Sequence, residues 1–407
     1  MNSIQNQRKT TLDKIAPGCA VLWLLYVMNT IFAWFSFGVV LRVFGVSGIL
    51  AYSFLSKCHE VSKGRRIMAI FVFLYYIWAL IKMGHFLAFV SVSMTFIPVM
   101  CLLFWPTETL KEVYDMFRKI VIFFAIGSTI ITVLSYVGMV SSIPHFEMPA
   151  QSPLHENRND FYNVYFIFPE LNTPGSFFHR ACGMMEEPGH FSIVLGFVYL
   201  IDRYTHRKIN PVIVLCAVLA FSSAFFLILF FTDFWNIIRY WKKALLYMSA
   251  AFLACIIIYQ ILPREKQDMV RFLAYERNLE QVTDAFNSSG SLNDALDERA
   301  GGLGNRVYDH MSFSQKLVGN EWDSDMVLSD YRGFIVRMGL IGFSLVIFIS
   351  LTSLFGASFN LKISLFLTML LIMLHRSWFF LEPFPYFMSF LASSLYKFII
   401  YTPCENH

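Results

Sequence analysis

Long apolar runs constrain this chain more than any other feature. Runs of about 20 apolar residues, long enough for a helix to cross a bilayer, recur between Val21 and Phe398 with short charged clusters between them. With 57% hydrophobic and only 15% charged residues, the 407-residue chain lacks the composition of a soluble domain. Strands of a membrane barrel would alternate apolar and polar residues, which these runs do not. The sequence therefore predicts an all-α fold, a polytopic bundle of transmembrane helices.

The positions of lysine and arginine predict how the helices alternate across the membrane. Basic clusters stay in the cytoplasm by the positive-inside rule, so an even number of crossings must join each adjacent pair. This parity predicts about twelve helices, with both termini in the cytoplasm. The clusters are residues 8–14, 57–66, 111–119, 203–208 and 239–243, with Lys362 and Lys397 alone. The predicted helices are residues 17–34, 36–56, 67–82, 86–105, 120–140, 187–201, 210–221, 223–238, 244–262, 331–355, 363–374 and 385–400.

The same parity divides the chain into five segments and places two long hydrophilic loops on the non-cytoplasmic side. Long loops are where a membrane enzyme keeps its working residues. The segments are the N-terminal transmembrane helices (1–140), the first periplasmic loop (141–186), the central helices (187–262), the second periplasmic loop (263–330) and the C-terminal helices (331–407).

Two local patterns depart from simple spanning helices. Residues 210–238 contain an apolar stretch too short to span, followed by Ser222 and Ser223, which predicts a bent or broken hairpin. Such a break is tolerated only where protein covers the freed backbone groups. Residues 264–286 carry apolar residues at helical spacing, which predicts an amphipathic helix along the membrane surface.

The end of the first loop brings an arginine and two carboxylates to the start of an apolar helix. These residues are Arg180, Glu186 and Glu187, and Pro188 follows them. One interpretation is structural, because proline at the first helical position and acids beside the positive helix end are ordinary capping features. The other is chemical: the arginine fork can bind two phosphate oxygens, and either glutamate can take a proton from a sugar hydroxyl.

The second loop carries further polar candidates. Arg299 and Arg306 flank a glycine-rich stretch, and His310 follows it. The glycines allow either close approach of backbone to a ligand or a flexible linker. An acidic triplet at residues 323–325 is interpreted as a solvated turn rather than as a metal site.

Charged residues also occur where the second loop enters its helix and near the end of the chain. Asp330 precedes the helix and competes with Glu187 as a proton acceptor. Arg337 lies one to two turns deeper, so it should face protein, a cavity or headgroups rather than lipid. Residues 375–376 and Glu382 border the same cavity in one interpretation and form an interhelical ion pair in the other.

At these residues the chain resembles the Wzy-type bacterial polysaccharide repeat-unit polymerases, which belong to a superfamily shared with the O-antigen ligases. Ligases usually carry a histidine where the long loop ends, whereas residues 328–330 here are Leu, Ser and Asp, and this departure favours the polymerase. The matching residues are Arg180, Gly183 and Glu187–Pro188; Arg306, Tyr308 and residues 317–319; and Asp330–Tyr331 with residues 339–342.

The resemblance implies a metal-independent, inverting glycosyl transfer on the outer face of the cytoplasmic (inner) membrane. The donor and the acceptor would both be oligosaccharides linked to undecaprenyl pyrophosphate, with membrane lipids and a chain-length regulator protein as further partners and with no cofactor or nucleic acid. The implied catalytic residues are Glu187, Asp330 and Glu186, and the implied substrate-binding residues are Arg180, Arg306, Arg299, His310, Tyr331 and Arg337.

Two other functions stay open from the sequence. One is the related ligase, which moves a glycan to a different acceptor. The other is a flippase or transporter of lipid-linked oligosaccharides, which should concentrate charges at mid-membrane. Here the charges favour the loops.

Overall fold

The computed structural model is mostly helical (86%), which agrees with the predicted all-α class. It describes residues 11–56, 61–84, 86–136, 139, 168–171, 179–185, 187–206, 209–220, 222–242, 249, 253, 256, 260, 264, 267, 307–320, 331–375 and 380–401. The helices are α1 (Thr11–Val27), α2 (Ile31–Trp34), α3 (Ser36–Leu55), α4 (Lys63–Met83), α5 (Phe86–Leu102), α6 (Thr107–Tyr136), α7 (Pro188–Thr205), α8 (Pro211–Leu219), α9 (Ser223–Arg239), α10 (Phe313–Val318), α11 (Tyr331–Ser353), α12 (Phe359–His375) and α13 (Phe384–Tyr401). An antiparallel pair of strands, β1 (Phe168–Leu171) and β2 (His179–Gly183), precedes α7.

Helices α3, α4, α6 and α11 are long and apolar enough to cross a membrane, as judged over the described residues. Large apolar side chains stay exposed on their outer faces; Phe54 is 84% exposed and Phe123 is 64% exposed. Exposed apolar surface of this kind suits lipid rather than water. These helices therefore give the chain the character of a membrane protein.

Side-chain contacts fix the relative directions of several helices. Helix α11 lies antiparallel to α4: the Trp78 indole donates to the Met338 carbonyl at one end, and Phe71 stacks on Phe348 further along. Helices α7 and α9 run parallel, and α8 connects them by running back in the opposite direction. Helices α8 and α9 therefore form a hairpin, which is broken between residues 219 and 223. The predicted break in this hairpin is confirmed.

The bundle has two distinct ends. We define the β end as the end where β2 meets the turn after α1; there the Ile31 N–H donates to the Met184 carbonyl at 3.1 Å. The opposite end, the basic end, brings Arg65 to Thr107, with Lys397 lining the same cavity. Cations from two separate basic regions, residues 57–66 and Lys397, therefore lie at one end.

Two predicted helix boundaries are wrong. Residues 17–34 do not form one helix, since α1 ends at Val27 and Asn29 turns the chain with a positive φ of 50°. Residues 107–119, placed outside the predicted helix 120–140, belong to α6. Their buried side chains recur at helical spacing, which holds this charged segment against the bundle. These side chains are Leu110, Val113, Tyr114 and Phe117.

Parts of the two predicted loops and of one predicted helix cannot be compared with the structure. Most of the predicted helix 244–262 and of the amphipathic helix 264–286 lies outside the described residues. Within the predicted first loop the structure contains β1 and β2, an element that was not predicted.

Candidate functional site

The segment from β2 to α7 is fixed to the bundle by backbone contacts. The Gly183 N–H donates to Ser128 Oγ of α6 at 3.1 Å, and the Met184 carbonyl accepts from Ile31. Pro188 occupies the first turn of α7, where its missing N–H removes no helical hydrogen bond. The short sequence from Arg180 to Pro188 is therefore held at the β end.

Glu187 adopts an extended backbone at the N-cap of α7, but its side chain does not cap the helix. Its Oε2 instead lies 3.4 Å from Nε2 of His190, one turn into the helix. The two side chains are 24% and 12% exposed. A side-chain cap therefore does not explain Glu187, while its role as a proton acceptor stays a prediction.

Arg180 has a structural contact that the sequence pattern did not suggest. Its Nε–H donates at 3.0 Å to the carbonyl oxygen of Ala220, the C-cap residue that follows α8. This carbonyl is one of the backbone groups that the hairpin break leaves without a helical partner. Arg180 thus links the predicted phosphate-binding segment to the broken hairpin.

We expect Arg180→Lys to destabilise the protein by about 1 to 3 kcal/mol, because a buried carbonyl oxygen loses its donor. Arg66→Lys is a matched control, since Arg66 also donates to a backbone carbonyl, that of Val61, but in an exposed position. It should cost less than about 0.5 kcal/mol. Thermal unfolding of both variants in detergent measures the difference, and equal midpoints would contradict this role of Arg180.

A cavity of about 260 Å³ lies at the β end, and we call it the β-end cavity. Arg337 and Glu382, which one of the two interpretations of the sequence placed at one cavity, both line it. Arg337 is 9% exposed and therefore faces protein rather than lipid, as expected for a cation on a membrane helix. The wall also contains Asn29, Tyr75, Ser91, Thr95 and Phe96.

Sequence reasoning missed Arg42 as a member of this region. Arg42 is buried on α3, and its guanidinium donates to the Tyr26 hydroxyl at 3.1 Å and to Thr95 Oγ1 at 3.0 Å. It also donates to the Ser91 carbonyl oxygen. One feature of the sequence could have identified Arg42: it is the only charged residue between Lys14 and Lys57.

The remaining predicted site residues lie away from the β-end cavity or outside the described residues. His310 and Tyr331 are exposed, so the structure does not bring these two into the β-end cavity. Lys82 at the end of α4 donates to the Gly319 and Asn320 carbonyl oxygens, which fixes residues after α10 near Arg337. Glu186, Arg299, Arg306 and Asp330 lie outside the described residues.

Comparisons with protein-family models, with curated proteins and with solved structures find no match for this chain.

Proposed function

We propose that this protein is a polysaccharide polymerase that joins oligosaccharide repeat units linked to undecaprenyl pyrophosphate. It would act as a multi-pass glycosyltransferase of the bacterial inner membrane, with both termini in the cytoplasm and its β end on the outer face. The growing chain would be the donor and one new repeat unit the acceptor.

The arrangement of charge at the β end carries the proposal. Arg337 and Glu382 line one cavity, and Arg42 is bonded to its wall. The turn after α1 lies between this cavity and the segment that holds Arg180 and Glu187, because Asn29 lines the cavity and its neighbour bonds to Met184. Cations and carboxylates from distant parts of the sequence thus converge on one region.

The proposed reaction uses these groups in a simple way. A hydroxyl oxygen of the acceptor sugar attacks the anomeric carbon of the donor and inverts it, while the bond from that carbon to the pyrophosphate oxygen breaks. Undecaprenyl pyrophosphate leaves with the electron pair, and fixed arginines stabilise its charge. A carboxylate takes the hydroxyl proton. Candidates from the sequence are Glu187, Glu186 and Asp330 for the proton, and Arg180, Arg306, Arg299, His310, Tyr331 and Arg337 for substrate.

A transporter is less well supported by the charges that the structure describes. Two ion pairs lie toward the basic end, joining Arg118 to Asp202 and Arg203 to Asp233. The other group of charges lies at the β end. A transport pathway would place such residues near the bilayer midplane, between the two ends.

A strain that lacks this protein tests the proposal. Its surface glycan should carry a single repeat unit on the lipid core, and the wild-type protein should restore a ladder of sizes on a gel. Complete loss of surface repeat units would contradict the proposal, because that outcome is expected for a missing ligase or flippase.

A further inference from the structure

The carboxylate of Glu382 is an unusual group at the β end. It lies in the turn just before α13 and lines the β-end cavity. It makes no hydrogen bond and no ion pair with the residues that the structure describes, although it interacts electrostatically with Arg42. Glu382 is half-buried, and withdrawing a carboxylate from water without a direct partner is costly, so such a group points to a function.

Arg42 provides a fixed positive charge for this carboxylate. Its terminal nitrogens are held by Tyr26, Ser91 and Thr95, so the guanidinium cannot swing freely toward Glu382. Its Nε is buried and has no hydrogen-bond partner. The cation therefore stabilises negative charge on Glu382 without closing over the carboxylate.

Within the described part of the chain, the other elements around Glu382 contribute few titratable groups. Helix α4 contributes Tyr75, α13 contributes Tyr386 and α11 contributes Arg337. The Tyr386 hydroxyl is fully buried and has no hydrogen-bond partner among the residues that the structure describes. Helix α5 and the turn after α1 add only neutral polar groups to the cavity wall, from Asn29, Ser91 and Thr95.

The cavity has the size and lining of a site for a single sugar ring. Its volume of about 260 Å³ is enough for a group of the size of a sugar ring. The Glu382 carboxylate, the Asn29 amide and the Ser91 hydroxyl can bond to sugar hydroxyls, while the rings of Tyr75 and Phe96 behind them are almost completely buried. The site is thus suited to one hydroxyl-rich group.

We propose that the β-end cavity is the acceptor subsite and that Glu382 takes the proton of the attacking sugar hydroxyl. This inference rests on the proposed polymerase function and adds a residue to it. As the acceptor oxygen bonds to the donor's anomeric carbon, its proton moves to Glu382 and the pyrophosphate departs with the bonding electrons. Arg42 favours the ionised form of Glu382.

The protonation behaviour of Glu382 fits this role. Burial raises the pKa of its carboxyl to about 7, and the Arg42 guanidinium opposes the rise. A base with a pKa near the working pH is efficient in proton transfer. Polymer formation should therefore increase with pH through about 7, because only the deprotonated carboxylate accepts a proton.

Variants of Glu382 provide the test in the complemented deletion strain. Glu382→Gln should lower the rate of polymerisation by about 100-fold or more, the usual contribution of a general base. Glu382→Asp should keep part of the activity. Glu108→Gln is the matched control, since Glu108 lines the cavity at the basic end, and it should leave the ladder unchanged.

A second measurement does not depend on polymer. A hydrophobic carbodiimide modifies protonated carboxyl groups in apolar surroundings, so it should label Glu382 in the purified protein below about pH 7. Lipid-linked repeat unit should protect Glu382 from the reagent. Labelling with protection supports the subsite, and labelling that the repeat unit does not reduce contradicts it.

The outcomes separate the two proposals. If the wild-type protein restores no ladder, the polymerase function fails and this inference fails with it. If the wild type restores the ladder and stable Glu382→Gln does so equally well, only the inference is overturned. If Glu187→Gln then abolishes polymer while Glu382→Gln does not, the proton acceptor is Glu187.

Discussion

Replacing Gly339 with alanine should destabilise the protein by about 2 to 5 kcal/mol, a large effect for one added methyl group. Gly339 interrupts α11 with a φ of +67°, where L residues are strained. A Cβ there would lie 2.7 Å from the Gly319 nitrogen and would also clash with the Leu317 carbonyl oxygen. The reverse contact is equally close, because a Cβ added to Gly319 would lie 2.6 Å from the Arg337 carbonyl oxygen. The backbones of residues 317–319 and 337–339 are in contact, so neither can move without a large energetic cost.

Gly84→Ala is a matched control for this effect. Gly84 has a similar φ of +63° at the end of α4, but a Cβ there would meet no atom within 4 Å. It should therefore cost only the backbone strain, about 1 to 2 kcal/mol. Size-exclusion after heating in detergent gives the midpoint for each variant. Equal midpoints would show that the close approach of residues 317–319 to Gly339 is unimportant.

On the proposed polymerase function, Gly339→Ala should also reduce polymer formation in the complemented strain. Arg337 lies two residues before Gly339 and reaches the β-end cavity, and the Asn320 N–H donates to the Val336 carbonyl at 2.7 Å. A straightened α11 would shift Arg337 relative to Glu382. If a destabilised Gly339→Ala protein still makes normal polymer, the proposed site does not depend on the interruption of α11.

Hydropathy predicted many of the helices because their cores are long and apolar, and Ser222–Ser223 correctly marked the hairpin break. It failed for residues 107–119, where charges on one face lowered the mean hydropathy although Leu110 and Phe117 on the other face are buried. The strands β1 and β2 were missed because four or five residues in a polar loop give little periodic signal.

The candidate site was less predictable than the fold. Arg337 and Glu382 stood out as charges near apolar runs, and the structure places them at one cavity. The contribution of Arg42 depends on contacts with Tyr26 and Ser91, which belong to two other helices. Such contacts follow from how α1, α3 and α5 pack, and a single sequence does not specify that packing.

Removing the charge of Arg118 should destabilise the protein by about 3 to 5 kcal/mol, since it would leave a buried carboxylate without its cation. Asp202 on α7 is only 2% exposed, and Arg118 Nε lies 2.8 and 2.7 Å from its two carboxylate oxygens. The Tyr114 hydroxyl donates to the same carboxylate at 2.8 Å. Arg118→Met keeps a long side chain against the bundle, so the loss in unfolding midpoint reports the charge.

Lys111→Met is the control on the same helix. Lys111 pairs with Asp115 at 3.1 Å, but the side chains are 40% and 35% exposed, so its removal should cost less than about 1 kcal/mol. Adding Asp202→Asn to Arg118→Met should recover much of the lost stability, because the orphaned charge disappears while an oxygen remains for Tyr114. If the double variant is no more stable than Arg118→Met, the loss comes from packing of the arginine stem and not from the buried charge.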